Sequence, residues 1–233
     1  MKLGIFVTTK CNANCPECAQ KPTMISQPGY DMSIEEIEKL VYYSEMSGYV
    51  FEEIYITGGE PMLWKNIVKG LRILKAAGIA KKIILFTNGM VSGDVYDEIL
   101  DFVDMVRITD YGWNAKKVKY WTDKYETTGK VVSYKQNVMY STPEDPVEGS
   151  LPADCNCKMF AYIFGKISLC LTGYSVVLSR LFFRKETDMF FGLELRRHYL
   201  KFLMNEDATI KPWCRYCVGN KKIRKNIKRR ELL

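Results

Sequence analysis

Short apolar runs alternate with amphipathic stretches over the first 135 residues of the chain. Runs rich in apolar and β-branched residues are typical of parallel strands that are covered on both faces. Five such runs occur before the pattern changes, at 3–8, 53–57, 83–87, 105–109 and 131–134. We expect each of them to form a strand of one parallel sheet.

Helical periodicity fills the intervals between these runs. Ser33 and Glu36 have the spacing of a capping box, and apolar residues then recur at helical intervals as far as Gly48. Three more helices are predicted over 65–77, 93–103 and 115–125. Strands joined by helices cross over with one hand. The pattern therefore predicts an α/β fold of about five to six parallel strands, either an open doubly wound sheet or a partial, open (β/α) barrel.

The pattern changes after residue 140. Ser, Thr, Pro, Glu, Asp and Gly dominate 141–152, a composition typical of a linker. Two apolar runs on either side of Gly165 then predict a hairpin over 160–171, and a helix is predicted over 188–204. We expect a barrel domain over 1–150, a small α+β domain over 151–220 and a tail over 221–233.

Composition and charge exclude several classes of protein. Hydrophobic residues make up 47% of the chain and charged residues 26%, values of a folded and not of a disordered or fibrous protein. The segment 221–231 has seven Lys or Arg against one Glu, and so carries six of the seven net positive charges. This basic tail is either solvated or contacts an acidic protein, and contact with nucleic acid stays open.

Membrane and export signals are not evident in the sequence. No apolar run is long enough to span a bilayer, and the amino-terminal segment lacks a cleavage site for export. We therefore expect a soluble, cytoplasmic protein with no membrane partner. In a reducing cytoplasm, clustered cysteines indicate metal binding and not disulfides.

The first cysteine cluster follows the first predicted strand directly. Cys11, Cys15 and Cys18 form a CxxxCxxC triplet, and the only histidine of the chain is His198. No fourth Cys or His lies near enough in sequence to complete a structural zinc site. Three thiolates are sufficient for a four-iron cluster in which one iron remains open to another ligand.

A second motif, Gly58-Gly59-Glu60-Pro61, ends the second predicted strand. The combination of CxxxCxxC after the first strand and GGEP after the second resembles the signature of radical S-adenosylmethionine (SAM) enzymes. The resemblance implies a [4Fe-4S] cluster on the cysteine triplet whose open iron binds the methionine part of SAM, with the GGE backbone holding its amino group. It further implies reductive cleavage of SAM to a 5′-deoxyadenosyl radical that takes a hydrogen atom from the substrate.

Further cofactor contacts are predicted at the ends of the third and fourth strands. Thr87, Asn88, Thr109 and Asp110 lie where they would face the ribose and carboxylate of SAM, although Asn88 also fits a simple turn. Glu17 departs from the family pattern, because the residue before the third cysteine is usually aromatic or apolar there and helps to seat the adenine.

The second cysteine cluster lies beyond the predicted linker. Gly165 and Cys170 match the GxxxxC element, and Cys214 and Cys217 the later CxxC element, of a twitch domain, the short form of the SPASM domain. This resemblance implies an auxiliary [4Fe-4S] cluster. A zinc ribbon built from the same cysteines stays open as an alternative.

The fourth ligand of the auxiliary cluster is Cys155 or Cys157, and the family spacing favours Cys155. Cys157 is then either a hydrogen-atom donor to a substrate radical, as in radical epimerases, or a buried thiol.

The resemblance identifies a type of chemistry and not a substrate. The architecture is similar to that of radical SAM dehydrogenases with a short barrel and a twitch domain, so we expect dehydrogenation or epimerisation of a small polar molecule. A flavodoxin or ferredoxin is the expected electron donor. Alternatives are a maturase of ribosomally made peptides, which often has a leader-peptide domain, a glycyl-radical activating enzyme, and a non-enzymatic zinc-binding module.

Arg107 is an unexpected residue in the fourth predicted strand, because ionisable side chains are seldom placed there. It either has a functional role or pairs with Asp104 or Asp110. The sequence does not predict a catalytic base.

Overall fold

The computed structural model describes residues 1–13, 15, 18, 29–136, 138–139, 159–169, 193–194 and 230–231. The helices and strands in these residues are β1 (Lys2–Thr8), α1 (Ile34–Ser47), β2 (Glu53–Gly58), α2 (Ile67–Ala77), β3 (Ile83–Thr87), α3 (Val95–Ile99), β4 (Met105–Asp110), α4 (Ala115–Lys124), β5 (Val131–Lys135), β6 (Val138–Met139), β7 (Met159–Ile163), β8 (Lys166–Leu169), β9 (Leu193–Glu194) and β10 (Arg230–Glu231). Short 3-10 helices occupy Pro61–Leu63 and Glu126–Thr128. No helix of the described part is both long and apolar enough to cross a membrane.

Eight of these strands form one open sheet in the order β5-β4-β3-β2-β1-β7-β8-β9. The six strands from β5 to β7 in this order pair in parallel, whereas β8 and β9 are antiparallel to their neighbours. The predicted α/β architecture of five to six parallel strands is confirmed. Strands β6 and β10 form a separate antiparallel pair, so that part of the basic tail is a strand.

The helices cover one face of the sheet. Leu3 and Ile5 of β1 belong to the same buried cluster as Leu40 of α1, Leu71 of α2 and Val118 of α4. Because strand side chains alternate between faces, every second residue of each central strand enters this core. Each buried aliphatic side chain of this kind stabilises the fold by about 1.5–3 kcal/mol.

Helix α1 begins and ends where the sequence predicts. The Glu36 backbone N–H donates to Ser33 Oγ at 3.2 Å, and the Ser33 N–H donates back to Glu36 Oε2 at 2.8 Å, which completes the capping box. Gly48 ends the helix in the left-handed region at φ 62°. These contacts fix the path from β1 to β2, and a cap of this type contributes about 1 kcal/mol.

Three predicted helix boundaries are wrong. Helix α2 begins at Ile67 and not at Lys65, because the chain first forms a 3-10 turn and buries Trp64. Helix α3 has only 5 residues, since the chain turns after Ile99 towards β4. The helix predicted over 188–204 does not run through Leu193–Glu194, which pair with β8 instead. Pairing satisfies backbone groups that would otherwise be exposed at the edge of β8.

The predicted hairpin around Gly165 is confirmed as β7 and β8. Its two turn residues, Phe164 and Gly165, both have positive φ angles, 53° and 66°, as a two-residue turn of type I′ requires. Strand β7 lies parallel to β1, and the Tyr162 hydroxyl donates to the Glu36 carbonyl at 2.9 Å. The hairpin therefore extends the main sheet, while the domain boundary near residue 150 stays a prediction.

Candidate functional site

The candidate site lies where the carboxyl ends of β1 to β4 meet. Parallel strands present these ends at one edge of the sheet, and the loops that follow them are where open α/β sheets bind ligands. The cysteine triplet follows β1, the GGEP motif closes β2, and Thr87 and Thr109 lie at the ends of β3 and β4.

The three thiols of the triplet influence one another. Cys11, Cys15 and Cys18 are each partly exposed, and the Cys18 N–H donates to the Cys15 carbonyl at 3.1 Å. Burial, together with the smaller effect of the nearby Cys18 and Cys11, raises the pKa of the Cys15 thiol to about 11. Three thiolates this close repel one another, so a bound cation would favour their ionised form.

The donor set fits an iron–sulfur cluster. Thiolates are the soft ligands that such clusters and zinc select. Within the described residues, no group of three or more His, Cys, Asp or Glu side chains is arranged to hold a single metal ion. The ligands of a four-iron cluster bind different irons and need not converge on one point.

Gly58 and Gly59 allow the end of β2 to approach the start of the cysteine loop. The Gly59 N–H donates to the Thr8 carbonyl at 2.8 Å, and the Glu60 N–H donates to the Lys10 carbonyl at 2.7 Å. A Cβ atom on Gly59 would overlap the Lys10 carbonyl, and one on Gly58 would overlap that of Thr8. The close neighbour of these two glycines is therefore the backbone at the end of β1 and just beyond it.

The Glu60 side chain joins the ends of β2 and β3. It is 1% exposed, and its carboxylate accepts hydrogen bonds from the Met62 N–H at 3.0 Å, the Thr87 hydroxyl at 2.7 Å and the Asn88 N–H at 2.7 Å. Burial raises the pKa of Glu60 to about 6. Sequence reasoning assigned a role to the backbone of this motif and missed the side chain.

Asn88 makes a turn and also contacts the cysteine loop. Its Oδ1 accepts from the Met90 N–H, and its Nδ2 donates to Asn12 Oδ1, both at 2.8 Å. Since Asn12 lies between Cys11 and Cys15 in sequence, this contact brings the β3 loop against the triplet. Thr87, by contrast, is buried and directs its hydroxyl to Glu60.

Asn114 fixes the loop after β4 and was not predicted. It is 2% exposed, and its Nδ2 donates to the carbonyls of Asn88 and Thr109, both at 2.8 Å. Asn114 immediately precedes α4 but makes no side-chain cap there. The feature of the sequence that could have drawn attention to it is an Asn directly before a predicted helix. Asp110 is used locally, because its Oδ1 accepts from the Gly112 N–H at 2.8 Å.

Tyr111 places an aromatic ring beside the thiols. Burial raises its pKa, and the neighbouring Cys15 and Cys18 raise it further. The ring stacks on Trp113 with 5.6 Å between centroids and 3° between planes, and Trp113 is 49% exposed. The cysteine triplet is therefore bordered on one side by an aromatic surface that sequence reasoning did not single out.

Arg107 does not pair with Asp104 or Asp110. Asp104 accepts from Lys75 Nζ and from the Ile83 N–H, at 3.0 and 2.8 Å. The Arg107 guanidinium packs over two aromatic rings instead. The alternative of a structural ion pair is therefore not observed, because both neighbouring carboxylates accept hydrogen bonds from other groups.

Several predicted site residues lie outside the described residues. They are Glu17, Cys155, Cys157, Cys170, Cys214 and Cys217. Their roles stay predictions.

Comparisons with known proteins agree with this geometry. Residues 5–112 match the model of the Radical SAM superfamily. The GTP 3',8-cyclase of Synechocystis sp. is 31% identical over 90 residues, which are 39% of this chain and 27% of the cyclase. That of Moorella thermoacetica is 34% identical over 93 residues, 39% of this chain and 28% of the cyclase. The matched segment thus spans less than a third of these curated relatives.

Among solved structures, BtrN in complex with AdoMet and 2-DOIA has a similar fold. Its TM-score is 0.55 at 16% identity, over 78% of this chain and 81% of BtrN. The match to the superfamily model begins within β1 and ends after β4, and so contains both the cysteine triplet and the GGEP motif. Residues 5–112 are therefore similar to the radical SAM domain, and this part of the chain resembles the GTP 3',8-cyclases in sequence.

Proposed function

We propose that the protein cleaves SAM reductively and uses the 5′-deoxyadenosyl radical to remove a hydrogen atom from a small polar substrate. Cys11, Cys15 and Cys18 would hold the [4Fe-4S] cluster, which when bound supplies an open iron for SAM and the electron that breaks its sulfonium bond. The observation that carries this proposal is that the start of the loop with the three thiols is hydrogen-bonded to the backbone of the GGEP motif.

The protein's own residues keep this site in shape. Gly59 and Glu60 hold the start of the cysteine loop through backbone hydrogen bonds, and the Glu60 carboxylate holds Thr87 and Asn88. In a site of this kind the chemistry belongs to the cofactor, and the protein binds, orients and excludes side reactions.

A small molecule is the substrate class that the comparisons favour. The curated relatives are named GTP 3',8-cyclase, and GTP is a small polar molecule. Dehydrogenation, epimerisation and cyclisation all begin with removal of a hydrogen atom and differ in the fate of the substrate radical. We propose dehydrogenation or epimerisation, with peptide modification as the alternative. Nucleotides are among the substrates to be assayed, so that a cyclisation would also be detected.

We also propose the auxiliary [4Fe-4S] cluster, with Cys155 or Cys157 and with Cys170, Cys214 and Cys217 as ligands. The β7–β8 hairpin supports it, because β8 ends at Leu169, directly before Cys170. A free Cys157 would return a hydrogen atom in an epimerase. Flavodoxin or ferredoxin would supply electrons in the cytoplasm, where the thiols stay reduced.

The proposal predicts that Cys11→Ala, Cys15→Ala and Cys18→Ala each abolish formation of 5′-deoxyadenosine. Loss of one of three ligands removes the site at which SAM is reduced. The measurement is chromatography of oxygen-free reactions that contain reconstituted protein, SAM and dithionite, without substrate and with a panel of nucleotides, aminocyclitols and peptides. Met46→Ala, at an exposed position on α1, is the control and keeps the activity. Cysteine variants that match the wild type would refute the assignment.

A further inference from the structure

One face of the sheet is not covered by any described helix. In β2 and β4, Ile54, Ile56, Val106 and Ile108 point into the core with the helices, and the residues between them are only half-buried. The half-buried side chains on the other face include polar, charged and aromatic groups. They extend across the sheet at Lys2, Glu53, Tyr55, Phe86 and Arg107, and the exposed Tyr134 continues the row on β5.

The charges at the β1–β2 end of this face compensate one another. Lys2 Nζ lies 2.5 Å from Glu53 Oε2 and donates to the Tyr55 hydroxyl at 3.0 Å. The Tyr55 hydroxyl in turn donates to Glu53 Oε2 at 2.5 Å. This group of three residues is neutral as a whole, because the Lys2 ammonium and the Glu53 carboxylate pair with each other.

Arg107 carries a charge that is not compensated in this way. Its guanidinium lies 5.5 Å from the ring centroid of Phe86 and 4.3 Å from that of Tyr134. None of the ion pairs formed by the described residues includes Arg107. Aromatic rings hold the flat faces of a guanidinium, whereas its N–H donors lie in the plane and remain available.

The position of Arg107 relates it to the thiols. Arg107 and Thr109 lie on the same face of β4, and Tyr111, beside the thiols, follows two residues later. Thr109 lies at the same carboxyl edge of the sheet as the cysteine loop, and Arg107 is two strand residues, about 7 Å, from it. A small molecule placed against this face would therefore reach from the cysteine loop to the guanidinium.

We infer that Arg107 binds an anionic oxygen group of the substrate, either a carboxylate or a phosphate. The rings of Phe86 and Tyr134 fix the guanidinium, and its fork of N–H donors matches two oxygens of such a group. This inference rests on the proposed function, because it names the substrate class for the same site. It makes Arg107 a specificity-determining residue of this face of the sheet.

The test compares Arg107→Gln and Arg107→Lys with the wild type. Binding of pyrophosphate and of malonate to reconstituted full-length protein is measured by oxygen-free titration calorimetry. Arg107→Gln is expected to weaken binding of at least one probe about tenfold or more, and Arg107→Lys, which keeps the charge but loses the fork, about threefold or more. Arg72→Gln is the matched control, since Arg72 also lies over a ring, that of Phe102 at 5.2 Å, but on an exposed helix position.

The two binding measurements distinguish a phosphate site, a carboxylate site and no anion site. If the Arg107 variants lose binding of pyrophosphate alone, the substrate group is a phosphate, and if they lose binding of malonate alone, it is a carboxylate. Either result supports the inference. It is overturned if the wild type binds neither probe or if both Arg107 variants bind as tightly as the wild type. Thermal unfolding shows whether Arg107→Gln folds. If it does not, the comparison of Arg107→Lys with the wild type decides the test. A wild type that binds through Arg107 but forms no 5′-deoxyadenosine would contradict only the proposed function.

Discussion

At the scale of single residues, the site depends on a carboxylate that is almost fully buried. Removing a carboxylate from water is costly unless hydrogen bonds replace the lost hydration. Glu60 receives three of them, from Met62, Thr87 and Asn88, and so connects the loop after β2 to the end of β3. These hydrogen bonds do not fully offset the unfavourable burial of the charged form, and the pKa of Glu60 is therefore raised to about 6.

This raised pKa predicts a pH dependence of stability. The contribution of Glu60 is complete below its ordinary pKa of 4.5 and is lost as the pH rises through about 6. Relative to Glu60→Gln, the wild type should therefore lose about 1–2 kcal/mol of unfolding free energy between pH 5 and pH 7. Denaturant unfolding of the metal-free proteins across this range measures the difference.

The control for this prediction is Glu52→Gln. Glu52 is exposed, and its hydrogen bond to Lys81 lowers its pKa, so it does not titrate in this range. Parallel pH profiles for wild type and Glu60→Gln would show that Glu60 is not the titrating group.

The residues that sequence reasoning missed share one physical feature. The side chain of Glu60 bonds to residues 27 and 28 positions away, and that of Asn114 to a carbonyl 26 positions away. Neither contact leaves a local pattern. The cysteine triplet and the GGEP motif were predictable because their spacing is local.

At the scale of elements, two glycines allow the backbones that follow β1 and β2 to approach each other closely beyond the ends of the strands. Gly58 has φ 140°, and both Gly58 and Gly59 lie against the backbone of β1 and the residues that follow it. Backbone cannot move aside as a flexible side chain can. The start of the cysteine loop is thus positioned by the absence of two side chains.

We predict that Gly59→Ala lowers both stability and iron content. The added methyl group forces the Lys10 carbonyl away, which should cost about 1–3 kcal/mol and displace the loop that carries Cys11. The measurements are thermal unfolding and iron analysis after reconstitution.

Gly48→Ala is the matched control. At Gly48 the chain has φ 62° and no atom within 4 Å of an added Cβ, so only conformational strain of about 1 kcal/mol is expected. It should therefore keep its iron. Full iron content in Gly59→Ala would contradict the packing argument.

Elements were predicted well where their signals are local. The capping box of Ser33 and Glu36 and the left-handed Gly48 defined α1, and apolar runs defined the five strands. Helix α3 and the strand at Leu193–Glu194 were not predicted correctly, since tertiary pairing and not periodicity decides them.

At the scale of the whole molecule, the hairpin after the predicted linker belongs to the same sheet as the segment 5–112 that matches the Radical SAM superfamily model. Strand β7 lies beside β1, whose other neighbour is β2, so that β1 is central. The chain that leads to Cys170 thus leaves from β8, two strands away from the strand that carries the cysteine triplet. A second cluster there would share a rigid sheet with the first.

We predict that Cys170→Ala removes about four of about eight irons but retains formation of 5′-deoxyadenosine. The auxiliary cluster is separate from the one that binds SAM, so SAM cleavage should persist while the complete reaction is lost. Iron and sulfide analysis of the variant beside Cys15→Ala separates the two sites. Unchanged iron content in Cys170→Ala would exclude this ligand.

The most direct test of the account is electron paramagnetic resonance of the dithionite-reduced Cys170→Ala protein with and without SAM. The account predicts the signal of one reduced [4Fe-4S] cluster that changes when SAM is added, and no signal once Cys15→Ala is introduced as well. A protein that contains zinc without inorganic sulfide, or a signal that does not respond to SAM, would contradict it.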